Sequence, residues 1–77
     1  MQGYDAAWRR LRIEILRRDD YTCHYCGKPS LTGSDATVDH VVPFVQQGRI
    51  DQGLRLDPYN CVAACRACNS ARARNNP

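Results

Sequence analysis

The chain has 77 residues, a formal net charge of +3 and five cysteines, enough for a single domain spanning 1–77. A domain this short buries only about 60% of the surface its unfolded chain exposes. With one Trp, one Phe and one Met to fill a core, it calls for a staple: a disulfide, a metal or a partner subunit. No apolar run reaches the roughly 18 residues of a membrane span, and the opening MQGYDAAW lacks the apolar stretch of an export signal. The cysteines are therefore expected in a reducing, cytoplasmic setting, where metal binding is a commoner use than disulfide bonding.

In chain order, Asp5 is placed to cap a helix over about 5–18. Trp8, Leu11, Ile15 and Leu16 fall on one side of it at helical spacing, with arginines between. Asp5 with Arg9, and Glu14 with Arg18, are acid-before-base pairs four residues apart that support a helix slightly. The helix is expected to act as a lid, packing its apolar stripe on the rest of the domain. A tight Cys-His-Tyr-Cys-Gly knuckle follows at 23–27, then a turn-rich connector, KPSLTGSD. Ala36 to Val42 reads as a strand stopped by Pro43. Gln46 to Pro58, with Gly48 and Gly53, reads as a long loop, a length that is uncommon unless functional. YNCVAAC reads as a second strand, and CRACNSARAR as a closing helix.

Cys23 and Cys26 form one Cys-x-x-Cys pair, Cys65 and Cys68 another. Together they complete a tetrahedral all-sulfur set suited to Zn²⁺. Such a site is closed, so it holds the fold and does no chemistry. A redox dithiol is the competing use, but that motif belongs near a βαβ pattern, which this chain lacks; two disulfides are the other. Cys61, among small apolar residues, reads as a small buried hydrophobe. His24, inside the knuckle, reads as exposed, because four cysteines already fill a structural site.

Ten of the eleven cations are arginine, whose planar fork suits phosphate better than a lysine does. They cluster at Arg9, Arg10, Arg12, Arg17 and Arg18, and again at Arg66, Arg72 and Arg74. Two solvated helix faces would look the same. Arg66, Asn69 and Arg72 are spaced by three and share one helix face, an oxygen donor between two cations. Asp39-His40 sits inside the apolar stretch TVDHVVPF, where a bland reading is a buried hydrogen-bonded couple. Asn60 alone reads as a turn residue.

The strings VDHVVP, DPYNCVAAC and CRACNSAR, with LRRDDYTCHYCGK upstream, resemble the HNH endonuclease family, in its zinc-containing four-cysteine branch. The resemblance runs from about Trp8 to Arg72. It implies a small α+β fold: a ββα-metal, treble-clef-like core over about 36–74 with an added N-terminal helix. It implies that His40 is the general base that takes a proton from the attacking water; imidazole's ordinary pKa suits that task. Asp39 and Asn69 match the ligands of one catalytic divalent metal, Mg²⁺ or Mn²⁺, which prefer oxygen donors. Many members carry His where Asn69 stands, so the chain looks like an H-N-N variant. Asn60 matches the middle Asn that bonds loop backbone and holds the base.

The implied activity is hydrolysis of DNA to 5′-phosphate and 3′-hydroxyl ends, with Arg66, Arg72 and Arg74 on the nucleic acid and the metal at the scissile phosphate. Relatives often carry lysine at the position of Arg72. A bacterial or phage-encoded cytoplasmic protein fits this picture, and a partner protein, a homodimer or a further domain would be needed to read a sequence as well as cut it. The competing expectation is a zinc-stapled module that binds nucleic acid or protein without cutting. The resemblance also carries a geometric condition. Neighbouring strand residues point to opposite faces, so Asp39 and His40 can share a site only where the strand twists or ends; where it does neither, Asp39 is structural and the metal assignment fails.

Overall fold

A computed structural model describes residues 5–75, with side chains through Ala73. Helix α1 spans Ala6–Arg18, and the Asp5 carboxylate caps it by accepting the Trp8 N–H at 2.8 Å. Leu11, Ile15 and Leu16 are its buried face. The chain leaves the helix through Asp20 and Tyr21, both left-handed at φ 56° and 50°, while the Tyr21 N–H reaches back to the Leu16 carbonyl at 2.8 Å. That reversal delivers the cysteine knuckle back onto the domain.

Strand β1 (Thr37–His40) pairs antiparallel with a strand near the end of the chain, in register from Thr37 opposite Ala64 to His40 opposite Cys61. Between them run β2 (Val45–Gln46), β3 (Arg49–Ile50) and the short helix α2 (Gln52–Arg55). Strand β4 is Cys61–Ala64, and helix α3 (Arg66–Asn75) closes the chain. Strands β1 and β4 with α3 make the ββα unit, so the small α+β architecture is the one the resemblance implied.

The core is built from small residues. Ala63 and Ala64 are fully buried, which lets elements on both sides of the two-stranded sheet approach closely. One cluster joins Leu11 and Ile15 of α1 to Cys61, with Trp8, Val38 and Leu56 packed on it. The other joins Leu16, Leu31, Ala36, Ala63 and Ala64 to Cys23 and Cys65. Cys61 is the small buried hydrophobe expected of it, 1% exposed, and burial pushes its thiol up to about 11. No helix among the described residues is long and apolar enough to cross a membrane.

Three local expectations are corrected. The stretch 46–58 is not one loop: β2 and β3 form a hairpin, Val45 opposite Ile50, and Asp51 caps α2 by accepting the Leu54 N–H at 3.0 Å. The strand read as Ala36 to Val42 stops at His40, leaving Val41 and Val42 half-exposed. The helix pairs are replaced by other partners: Asp5 pairs with Arg55 at 3.0 Å and Arg18 with Asp19 at 2.7 Å.

Asp19 ties α1 to the sheet. Its Oδ2 accepts the Ala63 N–H at 2.8 Å and Arg18 Nη2 at 2.9 Å, while that guanidinium also donates to the Pro58 and Cys61 carbonyls. Arg18, then the Ala63 N–H, hold the Asp19 carboxyl below its usual range against the cost of burial. Asp19→Asn is expected to cost about 1.5–3 kcal/mol, the range for hydrogen bonds to a charged group. A lowered folded pKa contributes stability that is full above the unfolded value of about 3.9 and fades as pH falls through the folded one. Thermal melts should therefore show a clear gap between variant and wild type at neutral pH that narrows in acid.

Candidate active site and metal centre

The four cysteine sulfurs of the two pairs lie within 4.8 Å of one another. A tetrahedral ion with bonds of about 2.3 Å requires sulfurs about 3.8 Å apart, and Cys26 Sγ stands 3.9 Å from Cys65 Sγ. Local backbone builds each half. Gly27 sits at φ 79°, its N–H on the Cys23 carbonyl at 2.9 Å. On the other side the Cys68 N–H donates to Cys65 Sγ at 3.4 Å. Burial opposes ionisation of Cys23, yet the N–H groups of Cys26, Cys65 and Tyr25 outweigh it and draw its thiol down to about 6. Cys68 is pushed the other way, to about 12, first by the Cys65 sulfur it faces and then by burial. Four thiols this close cannot all shed their protons unless a cation neutralises them. The donor set fits a metal ion. His24 is exposed, its ring edge-on to Tyr25.

The ladder is regular through Asp39 and His40, so the two leave the sheet on opposite faces. Strand β1 does end at His40. The structure supplies the end that a shared site requires.

On the α3 face, Asp39 is 8% exposed. Its Oδ2 accepts from the Tyr25 hydroxyl at 2.5 Å and from Arg72 Nε at 2.6 Å. Arg72 also lies over the Tyr25 ring, 4.8 Å from its centroid, and donates to the Val41 carbonyl at 3.1 Å. Burial first, then the hydrogen bond to Asp39, raise the Tyr25 phenol well above its usual range, so it stays a donor at neutral pH. Both bonds fall on one oxygen. The other, Oδ1, receives no donor among the described residues and keeps its lone pairs with respect to them.

Asn69 lies one turn back along α3. Its Nδ2 donates to Thr37 Oγ1 at 3.0 Å and lies 3.4 Å from the Val38 carbonyl. The Thr37 hydroxyl gives its single proton to the Ala64 carbonyl at 2.6 Å, so towards Asn69 it can only accept. The amide is thereby oriented, with Oδ1 as its acceptor end. Thr37 and Asp39 share a strand face, so Asn69 and Asp39 stand on the same side of β1, one with an amide oxygen and one with a carboxylate, donor types that suit a hard divalent ion.

On the α1 face, the His40 ring stacks on Trp8 at 5.1 Å and meets the Phe44 ring edge-on at 4.7 Å. His40 Nε2 is 2.9 Å from the Arg55 carbonyl. A carbonyl only accepts, so Nε2 carries the proton and Nδ1 is the basic nitrogen. Asn60, 6% exposed, clamps the backbone beyond His40. Its Oδ1 accepts the Val42 N–H at 2.8 Å, and its Nδ2 donates to the Val42 and Leu54 carbonyls at 2.9 and 3.1 Å.

The structure thus brings together Asp39, Asn69 and Arg72 on one face, and His40 with the Asn60-clamped loop on the other. Arg66 is exposed at the start of α3, its N–H bonded to Asp35 at 2.8 Å. The Arg74 side chain lies outside the described residues. Arg72, expected on nucleic acid, is engaged internally with Asp39. Tyr25 was missed by sequence reasoning. Its position between two zinc-type cysteines drew attention to the sulfurs, and no local signal announces a contact with a residue 14 positions away.

The HNH endonuclease family matches residues 23–74 of the chain. The chain is also 36% identical over its whole length to the CRISPR-associated endonuclease Cas9 of Corynebacterium diphtheriae, and spans 6% of that protein. No solved structure matches the chain.

Proposed function

The chain belongs to the HNH endonuclease family, and from that premise we propose that it is a metal-dependent nuclease that hydrolyses DNA phosphodiester bonds. The observation that carries the proposal is the 2.9 Å contact between His40 Nε2 and the Arg55 carbonyl. It supports the tautomer in which Nδ1 would take a proton from the attacking water. Asn60 holds the helix α2 that supplies this carbonyl through its bond to Leu54, the residue before Arg55.

Asp39 Oδ1 and Asn69 Oδ1 are the oxygens that would hold Mg²⁺ or Mn²⁺. The chemistry supplied by a divalent ion held there is neutralisation of charge on the scissile phosphate and the departing 3′ oxygen. Because His40 and Asp39 leave β1 on opposite faces, the reading requires the phosphate to cross the end of the strand, where both faces can reach it. Arg66 and Arg74 are proposed backbone contacts that add salt-sensitive affinity. Arg72 would bind phosphate only on leaving Asp39. The four cysteines are proposed to hold Zn²⁺ as a closed structural site.

One observation favours a second reading, a zinc-stapled binding module without catalysis. The Arg72 guanidinium already neutralises Asp39, at 2.6 Å, as a cation would. Supercoiled plasmid, incubated with zinc-loaded protein in Mg²⁺ or Mn²⁺, separates the two. Nicked product with 5′-phosphate ends supports the nuclease. Retained plasmid with salt-sensitive binding supports the module.

A further inference from the structure

The Cys-x-x-Cys knuckle does more than close a metal site: its third residue reaches the carboxylate of β1. Tyr25 lies between Cys23 and Cys26, and its hydroxyl is 2.5 Å from Asp39 Oδ2. The residue's backbone is fixed by its surroundings. The preceding His24 N–H bonds the Ala63 carbonyl at 2.9 Å, and the Gly27 N–H, two residues on, bonds the Cys23 carbonyl at 2.9 Å. The ring is held by the Arg72 guanidinium 4.8 Å from its centroid. A rigid backbone and a stacked ring leave the hydroxyl little freedom.

We infer that Tyr25 is a positioning residue that couples the cysteine metal centre to Asp39, setting the rotation of the carboxylate so that Oδ1 is presented for the second metal. This rests on the proposed assignment of Asp39 as a ligand of the catalytic metal. Two donors on Oδ2, from Tyr25 and Arg72, hold the carboxylate plane from two directions. Removing one leaves a single bond, about which the carboxylate can turn. Arg72 is itself tethered, its Nη2 donating to the Val41 carbonyl at 3.1 Å. Partners one step removed from a metal typically change affinity by about 10- to 100-fold when mutated.

The test uses zinc-loaded full chain as wild type, Tyr25→Phe and Asp39→Asn. Phe keeps the ring and its stacking on Arg72 and deletes only the hydroxyl. Calorimetric titration with Mn²⁺ is expected to show Tyr25→Phe binding about 10-fold more weakly, with zinc content and thermal midpoint retained. The Mn²⁺ concentration for half-maximal plasmid nicking should rise in step, while the rate at saturating Mn²⁺ recovers. Wild-type Mn²⁺ affinity in Tyr25→Phe, beside lost binding in Asp39→Asn, overturns the coupling and leaves the metal assignment standing. Unchanged Mn²⁺ affinity in Asp39→Asn overturns the metal assignment itself, and the role of Tyr25 with it. A second readout needs no variant: Mg²⁺ titrated into wild type should shift the Tyr25 ring resonances with the midpoint of Asp39. Tyr25 resonances that stay still while Asp39 moves also overturn the coupling.

Discussion

Cys65→Ser is expected to abolish cooperative folding, not merely to lower a melting temperature. Cys65 sits at the joint between β4 and α3, 4% exposed, and with Cys23 it belongs to the buried cluster that also contains Leu16, Leu31 and Ala63. Its sulfur faces Cys26 across the gap between the two pairs and accepts the Cys68 N–H. Removing it therefore breaks the metal set and the core together. Structural zinc sites contribute apparent binding energies of about 10–16 kcal/mol, against a total stability of about 5–15 kcal/mol for a typical domain. A chain of 77 residues with an alanine-lined sheet has no reserve of that size. Circular dichroism should show a broad, non-cooperative melt for Cys65→Ser and for wild type in excess chelator, with zinc restoring only the latter. A sharp melt in chelator, with zinc absent by atomic absorption, contradicts the structural role.

The second large effect is on chemistry. His40→Ala is expected to reduce cleavage by about 10²–10⁴-fold, the usual contribution of a positioned acid or base, while zinc content and DNA binding persist. The fold should tolerate the change. His40 ends β1 at the margin of the core, and its neighbours Trp8 and Phe44 are themselves only half-buried. Loss of the ring leaves the Arg55 carbonyl without its side-chain donor. Asn60 still holds α2 through Leu54 and the turn after β1 through Val42. A variant that loses activity together with its zinc would mark His40 as part of the fold. One that keeps both would place the base elsewhere.

Much of this was legible where the signal is local. Asp5 and the Trp8-Leu11-Ile15 spacing specify a cap and a face, and α1 formed within the bounds they set. Two Cys-x-x-Cys pairs specify a cluster, and the four sulfurs came together. The hairpin β2–β3 was not legible because its strands have two residues each and bury neither face. Its turn places Gln47 and Gly48 at φ 53° and 78°. Glycine is the usual occupant of such a position and glutamine is not, so half of the turn signal was missing. The ion pairs were misread for a different reason. Spacing by four marks residues that can meet on a helix, but Asp5 found Arg55, and Arg18 found its neighbour Asp19 and two distant carbonyls, because partners at the helix end and in the tertiary fold outcompete a weak solvated pair.

The candidate site shows the same division. The face shared by Asn69 and Arg72 follows from helix geometry and could be read in advance. That Arg72 turns inward to Asp39, with Tyr25 beside it, depends on contacts spanning 33 and 14 positions. Which nitrogen of His40 is basic depends on the Arg55 carbonyl, a backbone atom that a sequence does not display.

The proposed role of His40 Nδ1, as base for phosphodiester hydrolysis at the end of β1, is tested most directly by single-turnover plasmid cleavage by zinc-loaded wild type and His40→Ala in Mn²⁺, each with and without added imidazole. The expected result is a rate lost in the variant and partly restored by imidazole, which leaves wild type unchanged. Equal rates in the two proteins, or no cleavage by wild type in any divalent metal, would contradict it.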